Sequence, residues 1–245
     1  MNLPRIYLIA ILLLAFGVGT KGQEPSKAVL VDEFKTLTCE DLLSRLDMLA
    51  FEATKNPNSI AFVVIFPGKN VFQTVAYERA VRNNSVFRRI PETLIRVIKS
   101  TGRDELAFEL WRSPADKVFP IRDFPFDYRL SNISGRTRFV DDSVEVFRLE
   151  GKLEYGTGGC ISQFNLDVLS KILSANPILT AEIIIFNRSL REGRKLSRLI
   201  LHDAISESRI SKKRLRINYG GSGKAKDWSS KVSSIEIWLQ PTKIR

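Results

Sequence analysis

The chain contains one passage twice. Asn56-Pro57-Asn58-Ser59-Ile60-Ala61-Phe62-Val63-Val64-Ile65-Phe66 returns as Asn176-Pro177-Ile178-Leu179-Thr180-Ala181-Glu182-Ile183-Ile184-Ile185-Phe186. Asn-Pro, Ala and Ile-Phe recur at one offset, position 56 against position 176. A residue before proline is pushed out of the α region, so each Asn-Pro ends a helix. The apolar run behind it has the length of a buried strand. Glu109-Leu110-Trp111-Arg112-Ser113-Pro114 is echoed by Glu236-Ile237-Trp238-Leu239-Gln240-Pro241. A duplicated α/β unit is the arrangement these echoes predict.

The chain in order supports it. Ala28 to Phe34 reads as a short strand. Thr38 and Asp41 form a capping pair ahead of a helix whose apolar face is Leu42, Leu46, Leu49, Ala50 and Ala53. After the strand Ile60–Phe66, a second helix is expected over about 74–87, then strands over 96–100 and 106–111 with a Gly turn between them. The second unit repeats this from Lys152-Leu153-Glu154-Tyr155, through a helix on Leu166, Leu169, Ile172 and Leu173, the strand Ala181–Phe186, a helix over 190–208, and strands over 214–219 and 232–239. The predicted fold is α+β: two tandem β-α-β-α-β-β repeats, each a mixed sheet with helices packed on it. Strands joined through helices imply parallel pairing. The long apolar runs imply sheets covered on both faces. The units occupy 23–114 and 149–245. Residues 115–148 match nothing else, and Phe119, Phe124, Phe126 and Tyr128 mark them as an ordered connecting segment that packs rather than floats.

Residues 1–22 have the layout of a signal peptide: Arg5, an apolar Ile6–Val18, then small residues. Cleavage near Gly22 leaves a periplasmic or secreted protein, and retention leaves an N-terminal membrane anchor. Of the formal charge of +11, residues 23–159 contribute none, with 20 basic and 20 acidic residues, while 160–245 carry 16 basic and 7 acidic. The second unit is therefore where an anionic partner is expected. Cys39 and Cys160, the two cysteines, precede the first helix of each unit. They form a disulfide, as an exported compartment permits, or each is a small buried residue copied with its unit, which needed no partner before duplication. The second reading is preferred on sequence alone.

At Leu196-Ser197-Arg198, Ile210-Ser211-Lys212-Lys213-Arg214-Leu215, Tyr219-Gly220-Gly221 and Glu236-Ile237 the second unit resembles the OmpA-like C-terminal domain. The first resembles it at Asn56-Pro57, Ile60–Phe66, Ile90-Pro91 and Glu109-Leu110-Trp111. The resemblance implies peptidoglycan binding in the bacterial periplasm through an Asp and an Arg that hold the diaminopimelate of the stem peptide. Arg198 lies near the position of that Arg, and Arg79 is a looser match. The family's Gly-x-Thr-Asp is replaced by Phe66-Pro67-Gly68-Lys69 and Phe186-Asn187-Arg188-Ser189, so the Asp is missing from both units.

Arg191, Arg194, Lys195, Arg198 and His202 share one helical face opposite Leu196, Leu199 and Ile200. Such a face is either simply solvated or binds carboxylates or phosphates. Together with Arg79, its four cationic residues are the candidate ligand-binding set. Tyr219 to Ala225 is not a phosphate-binding loop, because Asn218 and Ala225 stand where Gly and Ser/Thr are required. One His and two separated Cys do not make a zinc set. His202-Asp203 lacks a nucleophile motif, and neighbouring helical residues diverge. No cofactor is expected. The export signal argues against nucleic acid. The sequence thus reads as a non-catalytic envelope protein whose second unit binds peptidoglycan or another anionic envelope polymer. The alternative is a protein–protein interaction module that has kept the fold and lost the cell-wall site.

Overall fold

The computed structural model describes residues 27–56, 58–131, 133–149, 152–157, 160–222 and 232–242. The expected signal peptide, 1–22, lies outside the described residues, as does most of the Gly-rich connection before the last strand. The structure is α+β, with two mixed sheets and four helices.

The first sheet holds β1 (Val29–Phe34), β2 (Ser59–Phe66), β3 (Ile95–Lys99) and β4 (Ala107–Pro114), with helices α1 (Cys39–Thr54) and α2 (Val71–Phe87). Its order is β1-β4-β2-β3. The β2–β3 pair joined through α2 is parallel, as expected. β1 and β2 are not neighbours, because β4 lies between them antiparallel to both. α1 starts at Thr38, whose hydroxyl accepts from Asp41 N at 3.3 Å and donates to its carboxylate at 3.0 Å. The helix ends where Asn56 turns its amide back onto Glu52 O at 2.8 Å, ahead of Pro57. Its apolar stripe of Leu42, Leu46, Leu49 and Ala53 is buried against Val63, Ile65, Phe108 and Leu110.

Both faces of β2 are covered, which accounts for its unbroken apolar run. Ala61, Val63 and Ile65 face the helices. On the other side Phe119 of the connecting segment stacks on Phe62 at 3.9 Å between ring centres and meets Trp111 edge-on.

The second sheet holds β5 (Thr137–Leu149), β6 (Lys152–Thr157), β7 (Leu179–Phe186), β8 (Leu215–Gly221) and β9 (Val232–Pro241), with α3 (Leu166–Ala175) and α4 (Leu190–Ser206). The order is β6-β5-β9-β7-β8. This corrects the expected start of the second unit. The strand at Lys152 pairs only with β5, at the sheet edge. The strand beside β9 on the side away from β7 is β5, which rises out of the segment expected to be a connection. The physical reason is β5's length: its first half pairs with β9 and its second half with β6. Leu169, Ile172, Ile183, Ile185, Leu196 and Ile200 are central in this core. The outer face of β7 differs from that of β2. Glu182 there binds Arg136 at 2.7 Å and Asn218 at 2.6 Å, so polar pairing replaces the apolar cover that the sequence predicts.

α2 joins the halves. Tyr77, Ala80 and Val81 enter the first core, whereas Val71 and Phe72 enter the second. Asn70 donates to Phe139 O at 2.8 Å. Cys39 and Cys160 form a disulfide with their Cα atoms 6.0 Å apart, which overturns the preferred reading of two independent core residues. None of the described helices is long and apolar enough to cross a membrane.

Candidate functional site

Ser189 caps α4 by accepting from Glu192 N at 3.3 Å. Leu196, Ile200 and Ala204 are fully buried and fix which face turns inward. Gly193 is required where the helix meets β8, since a Cβ there would stand 2.7 Å from the Tyr219 ring. The Tyr219 hydroxyl donates to Asn187 O at 2.7 Å and ties the loop before the helix to the same strand. The helix is therefore seated in one rotation, and its charged face is presented outward.

On that face Arg191, Arg194 and Arg198 are exposed. Among the described residues no ion pair involves any of the three. Lys195 is half-buried and reaches Glu192 at 3.4 Å. Like charges four residues apart on a helix each cost about 0.2–0.5 kcal/mol. Among the described residues one carboxylate, Glu192, pairs with one of these four cations. Guanidinium groups in such a row bind carboxylate or phosphate oxygens bidentately.

Arg79 is not brought to this strip. It lies on α2, donates to Ser162 O at 2.6 Å and lines the seam between the halves beside Cys160. On its other side the seam holds Asp167, Asp203 and Glu207. Tyr155 reaches the same place, where burial first and the Asp203 carboxylate second push its phenol well above the ordinary value. Asp203 thus answers to Tyr155 as well as to His202. The imidazole Nδ1 lies 3.1 Å from Asp203 and 3.2 Å from the Ser206 hydroxyl, which already donates to His202 O. One ring nitrogen facing both groups does not form a proton relay through the ring. Among the described residues no group of His, Cys, Asp or Glu is arranged to hold a metal.

Sequence reasoning missed two charged arrangements. Arg214 donates to Leu173 O, Asn176 O and Leu179 O at 2.6–2.9 Å and so satisfies the end of α3, and burial draws its pKa down. The second is the Glu-x-Trp pair. Trp111 donates to Glu109 and Trp238 to Glu236, each at 2.8 Å, and each Glu also binds an arginine, Arg103 or Arg138. The signal for it was present, because the two Glu-x-Trp sequences were visible as an echo.

No protein-family model matches the chain, and no curated protein matches it significantly. Among solved structures, a crystal structure of chorismatase aligns over 87% of this chain and 73% of its own, with a TM-score of 0.25 and 9% identity. A likeness that weak carries no argument.

Proposed function

We propose that this chain is a non-catalytic, exported bacterial envelope protein built from two degenerate OmpA-like units, with α4 of the second unit holding an anionic envelope polymer, peptidoglycan in the first instance. The observation that carries the reading is the row of Arg191, Arg194 and Arg198 on a firmly seated helix, without an ion pair among the described residues. The disulfide supports export, because such bonds persist in oxidising compartments.

Three details support duplication. Asn56 and Asn176 each donate their side-chain amide to the carbonyl four residues back. The indole–carboxylate bonds of Trp111 and Trp238 have the same length. β1 and β5 each carry a register shift opposite the Trp, between Leu30 and Asp32 and between Arg138 and Val140. Bulges of this kind are structural features in their own right, so their shared place points to common descent.

A protein-interaction module is the second reading, and Asn187 favours it. It is fully buried at the carboxyl end of β7, donating to Val232 O and Ser233 and accepting from Ser189 N. That internal bonding closes the place where the OmpA-like resemblance puts its Asp.

Co-sedimentation with insoluble peptidoglycan at about 0.15 M salt, where charges are screened beyond about 8 Å, separates the readings. Binding by the native protein that is abolished in a folded Arg194→Glu/Arg198→Glu variant supports the α4 site. Pelleting unchanged in that variant removes the site assignment, and no pelleting by the native protein leaves the interaction module in front.

A further inference from the structure

A roomy cleft lies away from α4. Loop 67–71 leaving β2, turn 99–103 leaving β3, residues 124–131 and Ile133 of the connecting segment and the start of β5 enclose a cleft of about 680 Å³. It opens at the carboxyl ends of the parallel pair β2–β3, where sheets with parallel strands gather ligands. Its volume is within the range of about 300–1,000 Å³ usual for small-molecule sites.

Its walls are of two kinds. Phe126, Leu130, Ile133 and Phe139 form an apolar side, each half-buried and backed by the second core. Around them stand Lys69, Lys99, Arg103, Arg129 and Arg138, with Asp127 the one carboxylate in the lining among the described residues. Four of these cations are committed. Lys99 binds Glu78 at 3.0 Å, Arg129 binds Asp127 at 2.8 Å, Arg138 binds Glu236 at 3.0 Å, and Arg103 binds Glu109. Lys69 is exposed at the lip and takes part in no ion pair among the described residues. The loop that presents it is held in place. Gly68 runs so close to Leu106 that a Cβ would meet the Leu106 nitrogen at 2.8 Å, and Gly68 N donates to the buried Thr74 hydroxyl at 3.3 Å.

We propose that this cleft binds a small amphiphilic monoanion, its carboxylate or sulfonate at Lys69 and its aliphatic or aromatic body against Phe126, Leu130, Ile133 and Phe139. One uncommitted positive charge beside a preformed apolar wall selects this class. A neutral amphiphile leaves Lys69 unused, and an inorganic anion leaves the apolar wall wet.

The test is a fluorescence titration of the full folded chain with anilinonaphthalene sulfonate at about 0.15 M salt, with dodecanoate, dodecanol and inorganic phosphate as competitors. The expected result is saturable binding that dodecanoate displaces far better than dodecanol or phosphate. Lys69→Glu, a change at an exposed residue, weakens it about tenfold, the equivalent of one lost charge-assisted contact. Arg194→Glu/Arg198→Glu leaves it unchanged, which separates this cleft from α4. The proposal is overturned by non-saturable binding, by a Lys69→Glu titration matching the native one, by equal displacement with dodecanol or phosphate, or by loss of binding in the α4 variant.

Discussion

At the scale of the residue, the most consequential groups are carboxylates held largely away from water. Glu236 is 2% exposed and receives Trp238 and Arg138, while Glu109 receives Trp111 and Arg103 with its side chain 12% exposed. Removing a buried acceptor strands its donors at about 1–3 kcal/mol. Glu236→Ala is therefore expected to lower unfolding free energy by about 2–3 kcal/mol, and Glu109→Ala by less, in denaturant titrations of the two variants. Equal losses would mean that exposure does not set the cost. Glu78 adds a pH dependence. Burial raises its pKa, but hydrogen bonds from Arg82 and Lys99 outweigh that and hold the carboxyl below its ordinary value. A depressed folded pKa contributes stability that is present above the unfolded value, about 4.3, and is lost as pH falls through the folded one. Native protein should accordingly lose stability relative to Glu78→Gln as pH falls below about 4. Parallel curves for the two proteins across that acid range would refute the assignment.

At the scale of the element, α4 is a helix whose sequence serves two ends. Leu196, Ile200 and Ala204 seat it, while its outward cations work against it. Arg194→Gln is expected to raise stability by a few tenths of a kcal/mol by relieving the Arg194/Arg198 repulsion, measured by urea unfolding. A clear loss would show that the guanidinium serves the fold rather than a ligand. Elements of this kind were largely legible in the sequence. The Asn-Pro stops, the stripe of α1 and the cations of α4 all lie where local pattern places them, because each depends on neighbours three or four positions away. β5 was not legible in the same way. Its pairing with β9 joins residues far apart in the chain, as Arg138 with Trp238 and Asp141 with Glu236, and its register is set by the partner strand. Arg214 was hidden for the same reason, since the three carbonyls it satisfies, at the end of α3 and the start of β7, lie 35 to 41 residues earlier in the chain.

At the scale of the molecule, the question is what keeps the two halves in register. The Cys39–Cys160 disulfide closes a span of 121 residues across the seam. In the chain-entropy model, a loop of that size contributes about 4–5 kcal/mol by restricting the unfolded chain. The seam has other attachments that act in the folded state. Val71 and Phe72 are buried in the second core, Asn70 binds Phe139 O, and Arg79 binds Ser162 O. These contacts belong to α2, which also carries Tyr77, Ala80 and Val81 into the first core. One helix committed to both cores couples their unfolding whether or not the sulfurs are joined. Cys39→Ser/Cys160→Ser is therefore expected to fold with an unfolding free energy lower by several kcal/mol and still to unfold in a single transition by near- and far-ultraviolet circular dichroism. Adding Phe72→Ala, which deletes a fully buried ring at a cost of about 3–5 kcal/mol, should broaden that transition or split it in two, because it removes the largest apolar contact of α2 with the second core. Two transitions in the cysteine-free protein with Phe72 intact would place the coupling in the disulfide instead.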